Sequence, residues 1–172
     1  MRSVGSVVWI TGLPGTGKTV LADAVAAHLR ATGAAVVRID GDRFRAWMDN
    51  DLGYSTPERL QNAWRIARFC NGLAEQQLTV VCSTVSLYRE IHDWNRSHST
   101  GYREIYLRAA VATRTGRKES TAVGVAAADG SLEVVGLTQS YDEPTAPDLV
   151  IDTDSARHTT ECAVRNIVSL IR

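Results

Sequence analysis

Short apolar runs alternate along this chain with segments whose apolar residues recur at spacings of three and four, the periods of strand and helix. Residues 4–10 form the first run. From Lys18 to about Ala31, Leu21, Ala22, Val25 and Leu29 share one helical face, and Gly33 stops the helix. A second strand is predicted at 34–39 and a short helix at 43–49. Thr56, followed by Pro57 and Glu58, opens a longer helix to about residue 76, with Leu60, Ala63, Trp64, Ala67, Cys70 and Ala74 facing inward. Arg59 and Asn62 fall on a neighbouring face of that helix, with Arg65 farther round. Strands at 78–83, 102–107 and 148–152 then alternate with helices from about 86 to 98 and from about 158 to 172. Residues 109–147 are the least regular part. A connection that long inside a compact domain is usually a lid or a binding loop. The alternation predicts an α/β fold on a mostly parallel sheet of five strands.

Composition narrows the class. A chain of 172 residues suits one domain with a sizeable core. Lysine plus arginine and aspartate plus glutamate balance at 19 each, so no global field favours nucleic acid or an anionic membrane, and no basic-aromatic stripe reads as a nucleic-acid surface. Cys70, Cys82 and Cys162 are widely spaced and read as small buried residues rather than disulfide partners or metal ligands. His28, His92, His98 and His158 form no zinc pattern. The first apolar run has strand length rather than signal-peptide length, and no run approaches a membrane span, so a cytoplasmic protein is expected.

Between the first strand and the first helix stands Gly12-Leu13-Pro14-Gly15-Thr16-Gly17-Lys18-Thr19, which fits the phosphate-binding pattern Gly-x-x-x-x-Gly-Lys-[Ser/Thr] in the context that pattern requires. Its glycines let backbone N–H groups turn onto phosphates, and the helix N-terminus adds a positive dipole end. Lys18 is expected to reach the β- and γ-phosphates of ATP and Thr19 to offer its hydroxyl to Mg²⁺. No Asn-Lys-x-Asp guanine-reading pattern is present, which disfavours a GTPase switch.

Phosphoryl transfer also needs a metal-holding carboxylate and a group that orients the acceptor hydroxyl. Asp40 and Asp42 flank Gly41 at the C-terminal end of the second strand, where parallel α/β sheets bind ligands. One could hold Mg²⁺ while the other accepts the hydroxyl proton. Arg43, Arg45, Arg59 and Arg65 are candidate anion clamps, and Phe44 and Tyr54 candidates to stack on a nucleobase.

In these motifs the chain resembles the adenylylsulfate kinases (APS kinases) over nearly its whole length. Besides the phosphate loop, Asp40-Gly41-Asp42-Arg43-Phe44-Arg45 matches Asp-Gly-Asp-x-x-Arg, and Leu52-Gly53-Tyr54-Ser55 is similar to Leu-Gly-Phe-Ser. Arg59, Asn62 and Arg65 match Arg-x-x-Asn-x-x-Arg, and Val85-Ser86-Leu87-Tyr88-Arg89 stands for Ile-Ser-Pro-Tyr-Arg. Gly136, Tyr141-Asp142-Glu143-Pro144 and the segment 149–153 resemble later family patterns. The resemblance implies a P-loop NTPase fold, a three-layer α/β/α sandwich with a five-stranded parallel sheet, built as one kinase domain over residues 1–172. It implies ATP with Mg²⁺ as donor and the ribose 3′-hydroxyl of a 5′-modified nucleotide as acceptor. By the same match Asp42 is the catalytic carboxylate, assisted by Lys18 and Asp40. Asp40 joins Thr19 at the metal, and Arg114 lies on the donor side. Arg45, Tyr54, Arg59, Asn62, Ser86 and Leu87 contact the acceptor. The family often forms dimers, so a homodimer is admitted, although no interface is legible here.

Two departures stand out. The family's lid signature, Arg-Asp-Pro-Lys-Gly-Leu-Tyr, aligns with Arg117-Lys118-Glu119-Ser120-Thr121-Ala122-Val123, and a later family lysine falls at Leu132. The lid therefore brings less matched positive charge, with Arg114, Arg117 and Lys118 as substitutes; a nucleotide-binding homologue with weakened transfer and a regulatory role is the alternative reading. The second departure is the stretch from Ser86 to Arg96, which together with Val134-Val135-Gly136 looks more like a sub-branch that includes the cytidine diphosphoramidate kinases.

Overall fold

The computed structural model describes residues 5–118, 140–155 and 159–171. Its elements in order are β1 (Ser6–Gly12), α1 (Lys18–Ala31), β2 (Val36–Asp40), α2 (Gly41–Trp47), α3 (Thr56–Glu75), β3 (Thr79–Thr84), α4 (Arg89–His98), β4 (Arg103–Arg108), α5 (Val111–Lys118), β5 (Leu149–Asp152) and α6 (Thr160–Ile171). The strands pair in parallel in the order β2-β3-β1-β4-β5.

Every residue of β1 and β3 is buried, because helices cover both faces of the sheet and leave no strand face for water. Alternation along β1 splits the core into two. Val8 and Ile10 face α1 and α6, where they pack with Leu21, Val25, Ile105 and Ile167. Val7 and Trp9 face the other way, onto Phe44, Ile66, Ala67 and Ile91 of α2, α3 and α4. The result is the expected α/β/α sandwich with a five-stranded parallel sheet.

Register puts the chemistry on one edge. Thr11 lies opposite Thr84, Gly12 opposite Leu107, and Asp40 opposite Ser83. The ends of β1, β2 and β3 thus converge at the C-terminal side of the sheet, the side on which such folds bind ligands.

Several boundaries differ from the sequence reading for identifiable reasons. Asp40 is the last residue of β2 and also caps α2, its carboxylate accepting the N–H groups of Asp42 (3.2 Å) and Arg43 (3.4 Å), so that helix starts at Gly41 rather than at 43. The cap of α3 is Ser55, not Thr56. The Glu58 carboxylate reaches back to the N–H groups of Ser55 (3.1 Å) and Gly53 (3.0 Å), holding the entry to the helix. Ile66 belongs to the inward stripe of α3, while Leu60 and Trp64 are only partly buried. The helix expected from 86 starts at Arg89, because Tyr88 is extended and the carbonyls of Val85 and Leu87 are taken by Thr11 and Asp142. The segment from 109 was expected to be irregular, yet it opens with α5. Thr, Gly and Val residues give it low intrinsic helix propensity, and its backbone at Arg114 packs onto Gly15. Most of the lid expectation, including Ser120, Leu132 and Val134-Val135-Gly136, lies outside the described residues.

Candidate active site

The phosphate loop is held from beneath. The Leu13 carbonyl accepts the backbone N–H of Thr16 (3.3 Å), the Thr16 hydroxyl (2.9 Å) and Lys18 Nζ (2.9 Å). Leu13 itself is buried with Leu87 and Tyr106, so its side chain anchors the loop rather than facing a ligand. Gly15 and Gly17 have φ of +85° and +89°, in the left-handed region. A side chain at Gly15 would also meet the Arg114 carbonyl oxygen at 2.6 Å, whereas Gly17 faces open space. No side chain caps α1 at Gly17, which leaves the first-turn N–H groups directed at an incoming anion. Pro14, Gly15, Gly17, Lys18 and Thr19 line a cavity of about 400 Å³.

Asp40 lines the same cavity beside Thr19, at the centre of a donor cluster. Its Oδ2 accepts the Ser83 hydroxyl (2.8 Å), the Thr19 hydroxyl (3.2 Å) and, at 3.4 Å, the Arg38 guanidinium. Arg38 also donates to Ser83 Oγ (2.7 Å) and pairs with Asp23 on α1 (2.9 Å). Burial pushes the Asp40 carboxyl upward, but the Ser83 hydrogen bond, the Arg38 charge and the Arg43 and Thr19 donors outweigh it and hold the group below its ordinary value. Asp40 is therefore ionised at neutral pH. Its carboxylate beside the Thr19 hydroxyl is a hard-oxygen donor set of the kind Mg²⁺ takes when phosphates and water complete its shell. Among the described residues no cluster of three or more acidic, His or Cys side chains could hold a metal alone.

Asp42 stands in the first turn of α2, exposed, and lines the same cavity. Beyond it the cavity is bounded by Arg45, Tyr54, Arg59 and Asn62 from α2, the following loop and α3, and by Ser86 and Leu87 from the segment between β3 and α4. Arg45 is buried and spends one guanidinium nitrogen on the carbonyls of Leu52 (3.1 Å) and Gly53 (2.9 Å). Arg59 Nε donates to the Tyr54 carbonyl at 2.6 Å. Both guanidinium groups lie against the Tyr54 ring, 4.7 and 5.0 Å from its centroid. The loop that carries Tyr54 is thus fastened by the two arginines, and the ring remains 44% exposed at the cavity. The segment between β3 and α4 is fastened too, by the Thr11 hydroxyl on the Val85 carbonyl (2.7 Å) and the Asp142 N–H on the Leu87 carbonyl (3.0 Å).

Not every expected residue reaches the cavity. Phe44 is 2% exposed and packs in the core, which removes it as a stacking partner. Arg65 pairs with Asp51 at 2.7 Å, and neither it nor the exposed Arg43 lines the cavity. Gly12, Leu13 and Thr16 support the loop from within. Arg114 is buried, its backbone packed on Gly15 and its Nε without a hydrogen-bond partner among the described residues. Conversely, Arg38, Ser83, Thr84 and Tyr88 were not foreseen. Ser83 and Thr84 carried the same signal as Asp40, polar residues ending an apolar strand; Arg38 carried none, because its role depends on the pairing of β2 with β3.

Comparisons with known proteins follow the same line. Residues 4–152 match the family model for adenylylsulphate kinase. A probable adenylyl-sulfate kinase of Aeropyrum pernix is 35% identical over 98% of this chain and 93% of its own length. The cytidine diphosphoramidate kinase of Campylobacter jejuni is 30% identical over 98% of this chain and 97% of its own. The Mycobacterium tuberculosis APS kinase, solved with AMPPNP and APS, superposes with a TM-score of 0.86 at 24% identity over 96% of each chain, a likeness of fold. With the family model spanning most of the sequence and a relative matched nearly end to end, the chain belongs to the adenylylsulfate kinase family and is a phosphotransferase.

Proposed function

We propose that this protein transfers the γ-phosphate of ATP, bound with Mg²⁺, to the ribose 3′-hydroxyl of a nucleotide that carries a small acidic group at its 5′ end. The observation that carries the reading is the shared cavity: Lys18 and Thr19 on the donor wall and Arg45, Tyr54, Arg59 and Asn62 on the acceptor wall, with Asp40 and Asp42 between them. The loop N–H groups and Lys18 hold the donor phosphates, while Thr19 and Asp40 would hold Mg²⁺. The cation would supply neutralisation of charge on the β- and γ-phosphates. Asp42 orients the acceptor hydroxyl and takes its proton as the oxygen bonds to the γ-phosphorus and ADP leaves. The fastened Tyr54 loop offers a ring face to the acceptor base, and Arg59 and Asn62 contact its phosphate and ribose.

The two relatives are named for adenylyl sulfate and cytidine diphosphoramidate, which supports an acceptor that is adenylyl sulfate or a cytidine nucleotide bearing a phosphoramidate-like group. The deciding experiment offers both, with unmodified nucleotides as controls, together with ATP labelled at the γ-phosphate. Labelled acceptor carrying a new monoester on its 3′-oxygen is the expected product. Absence of transfer to every acceptor contradicts the reading and leaves a nucleotide-binding protein without transfer.

A further inference from the structure

One buried ionisable cluster lies just behind the acceptor wall, unused by the proposed chemistry. His92, on the inner face of α4, is 5% exposed. Its Nε2 faces the Ser86 carbonyl oxygen at 2.9 Å and its Nδ1 faces Glu104 Oε1 at 3.2 Å. Glu104, on β4, is 2% exposed. Its other oxygen accepts Arg96 of α4 at 3.0 Å, and the Tyr102 hydroxyl lies 3.4 Å from Oε1. Asp148, before β5, takes the Glu104 N–H (2.8 Å) and lies 3.4 Å from Arg96. These are the charged and titratable groups facing the ring from α4, β4 and the approach to β5.

A carbonyl oxygen only accepts, so the contact with Ser86 takes a donor at His92 Nε2. The Arg96 guanidinium on Glu104, with Asp148 on the outer side of Arg96, meets the rule that buried charges are paired.

We infer that His92 is a positioning residue: through its Nε2 contact it fixes the Ser86 carbonyl, and with it the Ser86–Leu87 wall on which the acceptor nucleotide rests. The inference rests on the proposed function for the acceptor, but not for the contact with Ser86. Loss of the ring releases the wall and weakens acceptor binding. Donor binding is affected less: Leu13 packs on Leu87, but the Leu13 carbonyl also holds the phosphate loop through the Thr16 hydroxyl and Lys18 Nζ.

Two measurements test this on the full chain. In amide spectra His92→Gln should shift the Leu87 amide, which shares a peptide plane with the Ser86 carbonyl, and His92→Leu should shift it further. A Leu87 amide that stays in place in both variants overturns the inference whether or not the protein turns over. With active protein, His92→Leu should raise the acceptor KM about tenfold, the scale of a lost buried hydrogen bond, and the ATP KM by less. His92→Gln, which keeps a donor toward Ser86, should fall between them and supplies the readout should the leucine variant fail to fold. An unchanged acceptor KM, or equal rises in both KM values, overturns the positioning role. A wild type that turns over no acceptor counts against the proposed function instead, while the amide measurement still decides whether His92 positions Ser86.

Discussion

At the residue scale the site turns on Asp40, which accepts from both side chains and backbone and belongs at once to a strand end, a helix cap and the cavity wall. Its carboxyl is held below the ordinary value of 3.8. A group lowered on folding contributes stability that is present above its unfolded pKa and lost as the pH falls through its folded one. Asp40→Asn should therefore be less stable than wild type at pH 7, and the difference should shrink as acid protonates the wild-type carboxylate below about pH 4. Urea unfolding at the two ends of that range measures it, and a gap that stays constant contradicts the assigned network. Lys18→Ala probes the donor side: loss of a cation on the transferring phosphate should lower kcat about a thousandfold with the fold intact by circular dichroism.

The element scale shows how much was legible beforehand. The range of α1 was predictable because its stripe of Leu21, Ala22, Val25 and Leu29 is regular and Gly33 follows it. The phosphate loop was legible as a contiguous motif, and the Asp40-Gly41-Asp42 turn from its place at a strand end. What escaped is non-local. Arg38 takes meaning only when β2 pairs with β3, and α5 only when Gly15 lies beneath it. Phe44 read as a possible base-stacking ring because a seven-residue helix does not reveal which face the core will claim. The two loop glycines separate local strain from docking. Gly15→Ala combines a left-handed backbone with a 2.6 Å approach to the Arg114 carbonyl, while Gly17→Ala has the strain alone. Gly17→Ala should cost about 1–2 kcal/mol of stability. Gly15→Ala should lose more and also weaken ATP binding at least tenfold, as the loop shifts off α5. Thermal melts with nucleotide titration distinguish the two.

On the scale of the whole molecule, two apolar clusters hold a sheet whose C-terminal edge carries the chemistry. The α3 side of that core fixes the acceptor wall, since Ile66 packs the inner face of α3, the helix that presents Arg59 and Asn62, into the cluster with Val7 and Trp9. Ile66→Ala should destabilise the protein by about 2–5 kcal/mol, read from urea unfolding. At temperatures where the variant stays folded, it should perturb the acceptor KM more than the ATP KM. Among the described residues no helix is long and apolar enough to cross a membrane.

The central claim, that donor and acceptor meet across Asp42 in this cavity, is tested most directly by single-turnover transfer from labelled ATP·Mg²⁺ to the acceptor that the substrate panel identifies. Wild type should place the label on the 3′-oxygen and leave a 3′-deoxy acceptor unlabelled, and Asp42→Ala should bind both nucleotides yet slow transfer by about a hundredfold or more. Label on the 3′-deoxy acceptor, or an undiminished rate in Asp42→Ala, would contradict it.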